Sequence, residues 1–350
     1  MALPLLEIVT TGASLLEGGE LSTAPTVQAL LTKRAQADRA VALLLPASDV
    51  RARQMEVDVP IGFGNAGTLI THRHVDDALL QLRRAAEGIG GACLYCEPLG
   101  FALDGKAGHV DPVGMRAGTL SVSAMTLTTT IQSLVPLEQE IKAVGGVLAD
   151  SVTPHLAATA LFEGDDSGAI VYLTHGETVI AVVDHGQLTV AGTARIGRRH
   201  FIGDVMKSFD VTATQARPLV DQFFALGEDE PGEPDELTQK VIRARLEEWA
   251  EHCATILKAA PGLSRLVIGT DGGGQIPVAF ANALEGLIAP RSGKGKSLTV
   301  TCLCGDKTLL HGAAEVLRGA GPVAPQGATF TVARPQNRGQ QVLSWLQAHF

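Results

Sequence analysis

The chain has 350 residues, of which 45% are hydrophobic and 19% charged, and its formal net charge is −9. This length is enough for two ordinary domains or one large two-lobed fold. The negative charge argues against broad contact with nucleic acid, because such contact needs a basic footprint. The number of cysteines, five, is odd, and the N-terminal residues do not have the pattern of a signal peptide. Both features predict free thiols in a reducing cytoplasm.

Strand-like and helix-like stretches alternate along almost the whole chain, which predicts α/β layers. A first strand is predicted at Leu5–Thr10, followed by a loop with glycine and serine and then a helix over about residues 26–38. Val41–Leu45 is a continuous apolar run, typical of a buried strand, and is far too short to span a membrane. Thr71 is a favourable N-cap for a helix that continues to Arg84.

The middle of the chain is richer in strands. Two strands are predicted at Leu94–Leu103 and Gly118–Leu127, on either side of a turn-rich stretch. A hairpin is predicted from Ile170–Tyr172 and Val179–Val183, with a third strand at Leu188–Ala191. Residues 227–236 are acidic and contain two prolines and two glycines, so they form a predicted loop before a long helix over residues 237–259.

Two glycine-rich segments are candidate phosphate sites. Thr270–Gly274 follows a predicted strand and precedes a helix, so its backbone amides suit an anion, although a tight turn without a ligand gives the same pattern. Ser292–Ser297 resembles the end of a Walker A loop, but Pro290 stands where that loop needs glycine and a strand follows it. We therefore interpret the second segment as a solvated basic loop.

Cysteine and histidine clusters raise the question of a metal. Two pairs, Cys93 with Cys96 and Cys302 with Cys304, offer four thiolates for zinc. Both pairs lie in strand-like runs, and the strand period places Cys93 and Cys96 on opposite faces, which favours buried thiols. His72 and His74 are two residues apart on a predicted helix and do not face each other. No metal site and no catalytic residue is predicted, because no triad or paired-carboxylate signature is present.

The last nine residues, Val342–Phe350, form an amphipathic pattern. On a helix, one face is apolar and carries Val342, Leu343, Trp345, Leu346 and Phe350. Such a helix is suited to a membrane interface, although Arg338 is the one basic residue nearby. A terminal helix docked on its own domain gives the same pattern, and both alternatives stay open.

Several segments, taken in order, resemble one known family. The most specific is Phe101-Ala102-Leu103-Asp104-Gly105 followed by Asp111-Pro112-Val113-Gly114-Met115, which matches an F-x-x-D-G…D-P-V-G-M signature. Met55–Ile61 with residues 67–71 resembles the entry to that family's inserted domain, and Leu266–Pro277 resembles its T-G-G-G-x-Q-L-P stretch. The family is FtsA, the bacterial actin-like cell-division proteins, and the resemblance covers nearly the whole chain.

The resemblance implies a two-lobed actin-like (ASKHA) α/β fold with a small inserted α+β domain of the SHS2 or 1C type. The implied segments are first-lobe core (1–48, with a truncated N-terminus), inserted domain (49–128), first-lobe helix (129–146), second-lobe core (147–204), reduced outer subdomain of the 2B type (205–265), second-lobe core with the adenosine-type motif (266–330), and a C-terminal strand and helix (331–350).

The resemblance also shows where this sequence departs from the family at the nucleotide. The chain starts after the first phosphate hairpin of the family, so that hairpin is expected to be missing. The second phosphate loop, D-I-G-G-G-T-T-D in the family, corresponds here to Tyr172–Val179, and only Gly176 and Thr178 match it. ATP is implied as a ligand that is weakly bound or lost, without a metal, at Gly176, Thr178, Thr270, Asp271, Gly272 and Gly273.

By resemblance, the chain is an adaptor or scaffold that links FtsZ and other division proteins to the cytoplasmic face of the inner membrane without hydrolysing ATP. Self-association through the inserted domain is also implied, and residues 205–265 are too few for the full outer subdomain that receives FtsZ. Two alternatives stay open. One is an active ATPase of the same fold, and the other is a pilus- or secretion-type actin-like adaptor.

Overall fold

In the computed structural model, the structure describes residues 4–9, 12–17, 20–31, 40–62, 67–88, 90–162, 167–225, 235–260, 262–271, 278–288, 298–303 and 308–319. The strands among them are, in chain order, β1 (Leu5–Val9), β2 (Gly12–Glu17), β3 (Glu20–Ala24), β4 (Ala40–Leu44), β5 (Val50–Pro60), β6 (Thr68–Leu69), β7 (Gly91–Leu103), β8 (Lys106–His109), β9 (Arg116–Ala117), β10 (Thr119–Thr130), β11 (Val147–Val152), β12 (Gly168–Leu173), β13 (Thr178–Asp184), β14 (Gln187–Ala194), β15 (Arg265–Thr270) and β16 (Thr299–Cys302).

The helices in the described ranges are α1 (Val27–Leu31), α2 (His72–Glu87), α3 (Ile131–Ala143), α4 (Pro154–Thr159), α5 (Arg198–Phe209), α6 (Ala213–Ala225), α7 (Glu236–Leu257), α8 (Val278–Ile288) and α9 (Leu309–Arg318), with a 3₁₀ helix at Ala47–Asp49. No helix in this part of the chain is both long and apolar enough to cross a membrane.

Two five-stranded sheets have the same topology. The first has the order β11-β4-β1-β2-β3 and the second β14-β13-β12-β15-β16. The strand β11 pairs with β4 in the first sheet, so the expected start of the second-lobe core at residue 147 was wrong. In each, three consecutive strands form an antiparallel meander, and two later strands add in parallel on the other side of the first strand. The predicted hairpin and third strand of the second lobe are thereby confirmed.

The shared topology corrects the expectation about the N-terminus. The predicted loop after the first strand contains two strands, β2 and β3, and Val9 pairs with Gly12 across the first hairpin. Gly12 is the first residue of β2, and the pairing of β2 with β3 shows that this stretch is not one long loop. The first hairpin is present and corresponds in the first lobe to the β12–β13 hairpin in the second, so the prediction that it is missing was wrong.

A third, four-stranded sheet is formed within residues 50–130, in the order β5-β10-β7-β8, and α2 packs against it. The predicted N-cap of α2 is confirmed, because the amide of Thr71 donates to Nδ1 of His74 at 3.2 Å. The family-like signature has a structural role at this sheet. Asp104 adopts φ of 47°, and its Oδ1 accepts hydrogen bonds from the amides of Gly118 and Thr119, both at 2.9 Å.

The second sheet is buried on both faces, and the side chains of β12 and β13 alternate between two hydrophobic cores. Tyr172 and Val179 lie on the face that packs with the core of the first lobe. Val171, Leu173 and Ile180 lie on the opposite face, in a core closed by α5 to α8. The centre of that second core is Trp249 of α7, which is fully buried and lies 4.9 Å from Phe280, measured between ring centroids.

The predicted faces of Cys93 and Cys96 were wrong. A β-bulge shifts the register of β7 against β10, so that Cys93 pairs with Thr128 but Tyr95 already pairs with Leu127. The extra residue, Leu94, inverts the alternation of side chains beyond it. Cys93 and Cys96 therefore share one face. Cys93 is buried as predicted, whereas Cys96 and Cys302 are half-buried, and Cys304 lies outside the described residues.

Candidate functional site between the lobes

A cavity of about 370 Å³ lies between the two main sheets, at the end where both first hairpins meet. The first lobe and α9 contribute Glu7, Ile8, residues 44–49, Pro154 and Leu309 to its wall. The second lobe contributes residues 174–177, Val179, Arg199 and Asp271. In topology this is the cleft of a two-lobed α/β fold, where ligands are expected beyond the ends of the strands.

The turn between β12 and β13 uses its own backbone donors internally. The amide of Thr174 donates to the carbonyl of Glu177 at 2.8 Å, and the amide of Glu177 donates to Oγ1 of Thr174 at 3.2 Å. The amide of His175 donates to the carboxyl group of Asp271. Three of the four amides in this turn are therefore already paired within the chain.

The start of α5 is held against the same turn. The amides of Arg198 and Arg199 donate to the carbonyls of Thr174 and His175, at 3.0 and 2.8 Å. The first amides of a helix have no acceptor within the helix, and where they are not paired they favour binding of an anion. Gly197 is needed here, because a Cβ atom at this position would collide with the backbone of residues 175–177. The helix N-terminus is thus covered by the turn.

Glu177 reaches across the cleft to the first lobe. Its Oε1 accepts a hydrogen bond from the amide of Ser48 at 3.0 Å, and its carboxyl group also accepts one from the amide of Ala47. Both donors stand at the start of the 3₁₀ helix Ala47–Asp49, where backbone amides have no partner within the helix. Burial raises the pKa of Glu177, and these hydrogen bonds act in the opposite direction.

Two more carboxyl groups lie at the floor of the cavity. Burial and, to a smaller extent, the negative charge of Asp271 together raise the pKa of Glu7 to about 7. Burial also raises the pKa of Asp271 to about 6, although hydrogen bonds from the Tyr172 hydroxyl and the His175 amide favour its charged form. The sequence analysis predicted no functional carboxyl group on the first strand. The structure places Glu7 on this strand, where it lines the cavity.

Positive charge at the cavity is limited. Arg199 is the arginine in the cavity wall. Burial lowers the pKa of His175, and the positive charges of Arg217, Arg199 and Arg198 lower it as well. The guanidinium of Arg198 is already used, since it donates to the backbone carbonyl of Asp271 at 3.2 Å and pairs with Asp221 at 2.8 Å. Within the described ranges, no group of three or more His, Cys, Asp or Glu side chains is arranged to hold a metal ion.

The predicted nucleotide residues do not all come together. Gly176 lines the cavity, and so does Asp271. Thr178 does not: it is fully buried, its Oγ1 donates to the carbonyl of Ile196 at 2.6 Å and accepts from Nε1 of Trp249 at 2.8 Å. Its hydroxyl belongs to the second core, so the structure corrects its assignment to a nucleotide.

Other predicted residues have different positions. Thr270 is buried at the end of β15, outside the cavity wall. Gly272 and Gly273 lie outside the described residues, as do the predicted membrane residues Val342, Leu343, Trp345, Leu346 and Phe350.

Sequence analysis missed the roles of Glu7 and Glu177. The signal for Glu7 was a carboxyl group in the middle of the apolar first strand, but β2 and β3 were interpreted as a loop. For Glu177, the sequence showed a negative charge within the segment that corresponds to the family's second phosphate loop, where it would repel a phosphate. Its partner, Ser48, is 129 residues away, and no local pattern links them.

A triphosphate does not fit the β12–β13 turn as it is folded. Phosphate oxygens in such turns are held by several convergent backbone amides. Here three amides of the turn have partners within the chain, and the carboxylate of Glu177 adds negative charge at the same place. The geometry suits a turn whose backbone donors are used by the chain's own groups.

Comparison with known proteins agrees with this architecture. The chain is 25% identical over 239 residues to the cell division protein FtsA of Rhizobium meliloti (strain 1021), covering 61% of this chain and 54% of that protein. It is 24% identical over 212 residues to FtsA of Agrobacterium fabrum, covering 53% and 48%. The sequence is FtsA-like and divergent. The match thus spans about half the length of these curated relatives, and no family model matches the chain.

A solved structure extends the comparison to the whole fold. The PilM-PilN type IV pilus biogenesis complex contains a chain that superposes with a TM-score of 0.59 at 14% identity, covering 92% of this chain and 99% of that one. At this identity the likeness shows the fold alone. The predicted actin-like α/β fold is confirmed.

Proposed function

We propose that this FtsA-like chain is an adaptor or scaffold of bacterial cell division that acts by binding its partners without hydrolysing ATP. The coarse part, an actin-like protein related to cell-division proteins, follows from the sequence similarity to FtsA. The observation that carries the finer part is the bond between Glu177 and Ser48, which joins the lobes where an actin-like protein holds phosphates.

Electrostatics supports the loss of turnover. Phosphoryl transfer depends on positioned donors and positive charge around the transferring group. In this cleft the carboxyl groups of Glu7, Asp271 and Glu177 face a wall with Arg199 as a nearby cation. Bringing in a triphosphate would require breaking the cross-lobe bond and placing like charges together in a partly buried site.

The domain arrangement supports an adaptor as well. We assign the four-stranded sheet with α2 to the inserted domain expected at residues 49–128, and α5 to α7 to the reduced outer subdomain expected at 205–265. The described part of that subdomain is helical. In this proposal the inserted domain meets the next subunit, and FtsZ, other division proteins and the membrane are partners at the cytoplasmic face of the inner membrane.

Calorimetry and phosphate release test the absence of turnover. We expect no saturable heat when ATP with Mg²⁺ is titrated to millimolar concentration into the full chain, and no phosphate release above a protein-free blank. Saturable binding together with release that depends on Mg²⁺ would instead establish the active ATPase. The FtsA-like partner role is tested separately, by capture of FtsZ from the same organism on the immobilised chain.

A pilus-type adaptor is the second candidate, because the structural match covers 99% of the PilM-PilN chain. It would bind a short peptide of a membrane partner in place of FtsZ. Capture with both baits separates the two candidates: recovery of a pilus or secretion membrane protein without FtsZ would favour this one.

A further inference from the structure

A second cavity, of about 130 Å³, lies between the C-terminal end of α2 and the four-stranded sheet. Its volume is many times the roughly 10–15 Å³ that one water needs, so it suits a small molecule of several heavy atoms. None of its wall residues lines the cleft between the lobes. We refer to it as the α2–β5 pocket, since β5 contributes Arg51, Arg53 and Met55 to its wall and α2 contributes Ala85, Ala86 and Glu87.

The two arginines of this pocket share one face of β5. They pair across the sheet with Thr128 and Thr126, so their Cα atoms are roughly 6.6 Å apart along the strand. Both arginines are exposed, and within the described ranges neither guanidinium has an ion pair or a hydrogen-bond partner. Arginine binds carboxylates and phosphates bidentately through its planar set of donors. The β5 side of the pocket therefore offers two cationic groups to one anion.

Threonines of β10 hold the backbone that carries these arginines. Oγ1 of Thr126 donates to the carbonyl of Arg53 at 2.9 Å, and Oγ1 of Thr128 lies 3.4 Å from the carbonyl of Arg51, to which it donates. Thr126 is 1% exposed, so its bond is shielded from solvent. Both hydroxyl protons are used within the sheet, which leaves the two guanidiniums as the charged donors of the pocket wall.

The α2 side of the pocket has the opposite polarity. Glu87 is the last residue of α2, it is half-buried, and its carboxylate has no ion pair in the described part of the chain. The last carbonyls of a helix have no partner within it and form the negative end of its dipole. A Cβ atom at Gly91 would collide with the carbonyl oxygen of Glu87, so the helix end lies directly against the start of β7. This side of the pocket favours a cation.

We propose that the α2–β5 pocket binds a small zwitterion, namely a free α-amino acid with a short side chain. Its carboxylate accepts hydrogen bonds from the guanidiniums of Arg51 and Arg53, and its ammonium group donates to the carboxylate of Glu87. The side chain packs in the apolar part of the wall, which includes Met55 and Ala86. An anion without an ammonium group would meet Glu87 unpaired, and a cation without a carboxylate would meet two like charges, so the zwitterion satisfies both sides.

Isothermal titration calorimetry of the full chain with four amino-acid probes tests the proposal. We expect saturable binding of L-alanine at millimolar concentration. Affinity should fall about tenfold or more for L-alaninamide, which lacks the carboxylate, and for N-acetyl-L-alanine, which lacks the ammonium group, because each loses a charge-assisted contact. L-Phenylalanine should bind more weakly than L-alanine, since the pocket is small; equal affinity would contradict a short side chain.

Variants assign the two poles of the ligand. R51Q and R53Q should each weaken L-alanine about tenfold while L-alaninamide is little changed, and E87Q should weaken L-alanine about tenfold while N-acetyl-L-alanine is not weakened. A merely structural defect would weaken all probes alike. The matched controls are R84Q, at an exposed position of α2, and E56Q, at an exposed position of β5, and neither residue is in the pocket wall.

Three results would overturn the proposal. The first is the absence of saturable L-alanine binding to the wild type, and the second is equal binding of L-alanine and its two blocked forms. The third is binding of inorganic phosphate as tight as that of L-alanine, which would indicate a simple anion site. The wild-type titrations decide the question even if a variant fails to fold.

Discussion

The Oε1 atom of Glu177 accepts a hydrogen bond from the amide of Ser48 at 3.0 Å, and this bond joins a turn of the second lobe to the 3₁₀ helix of the first. The two residues are 129 positions apart. The carboxyl group of Glu177 is thus an acceptor, supplied by the protein itself, for backbone amides of the first lobe. The two lobes are therefore joined by a hydrogen bond between groups of the protein itself.

Replacing Glu177 with alanine is expected to loosen the lobes. A hydrogen bond to a charged group contributes about 1.5–3 kcal/mol, and the lower end applies here because the site is partly solvated. The amide of Ser48 should exchange faster with solvent in E177A, as measured by hydrogen–deuterium exchange. The exposed Glu251 provides the control variant E251A. Unchanged protection of Ser48 in E177A would mean that the bond does not hold the lobes.

Glu7 is expected to make the protein less stable as the pH rises. Its pKa is about 7 in the folded protein against 4.5 in the unfolded chain, so folding favours the protonated form. The stabilising contribution is complete below pH 4.5 and is lost as the pH rises through 7. E7Q should therefore melt at a higher temperature than the wild type at pH 8, and the difference should shrink toward pH 4.5. A difference that is constant with pH would contradict the assigned burial.

Thr178 is expected to act through stability alone. Valine at this position keeps the shape but leaves Nε1 of Trp249 and the carbonyl of Ile196 without the hydroxyl, which costs about 1–3 kcal/mol. Urea unfolding should show this loss for T178V, together with a shift in Trp fluorescence. T189V is the control, because the Thr189 hydroxyl lies 3.3 Å from the carbonyl of Val182 at a half-buried site. Equal losses in the two variants would argue against a special role.

His155 is expected to weaken the fold in acid. The ring is fully buried on α4, with its Nε2 3.1 Å from both the Gly192 carbonyl and Oγ1 of Thr193. Burial lowers its pKa from 6.5 to about 4, so the folded state favours the neutral ring. Stability is complete above pH 6.5 and falls by about 3 kcal/mol as the pH drops through 4. Unfolding free energies of the wild type, H155Q and the exposed control H252Q across this range test the assignment, since only H155Q should flatten the slope.

The C-terminal residues carry the proposed membrane contact. If the apolar face of Val342–Phe350 inserts into an interface, its removal should abolish co-sedimentation with anionic liposomes. A variant with Trp345 and Phe350 changed to serine should behave like the deletion. Sedimentation of the deletion at the wild-type level would contradict the membrane role and favour a helix docked on its own domain.

Much of the framework was readable from local patterns. The capping residue Thr71 predicted the start of α2, and alternating and apolar runs predicted the strands around the β12–β13 hairpin. The signature at Asp104 predicted a turn between long strands, and its carboxylate holds two amides there. These features depend on residues a few positions apart, so the sequence alone carries them.

Other expectations failed because they depended on pairing. A single extra residue, Leu94, turned Cys93 and Cys96 to the same face, and a one-residue shift inverts every side chain beyond it. Likewise, β2 and β3 are short strands, and the pairing of β2 with β1 and of β3 with β2 is what shows that they are strands.

By itself, the sequence determined the α/β class, the order of the helices and strands, and the resemblance to a cell-division family. Only the tertiary structure decided that Glu177 bridges the two lobes, that Thr178 belongs to a core and that Glu7 and Asp271 line the same cavity. Periodicity and capping act over a few residues, whereas each of these contacts joins positions brought together by the two sheets. The role of a charged residue in a loop cannot be predicted from the sequence when its partner is distant along the chain, as Ser48 is from Glu177.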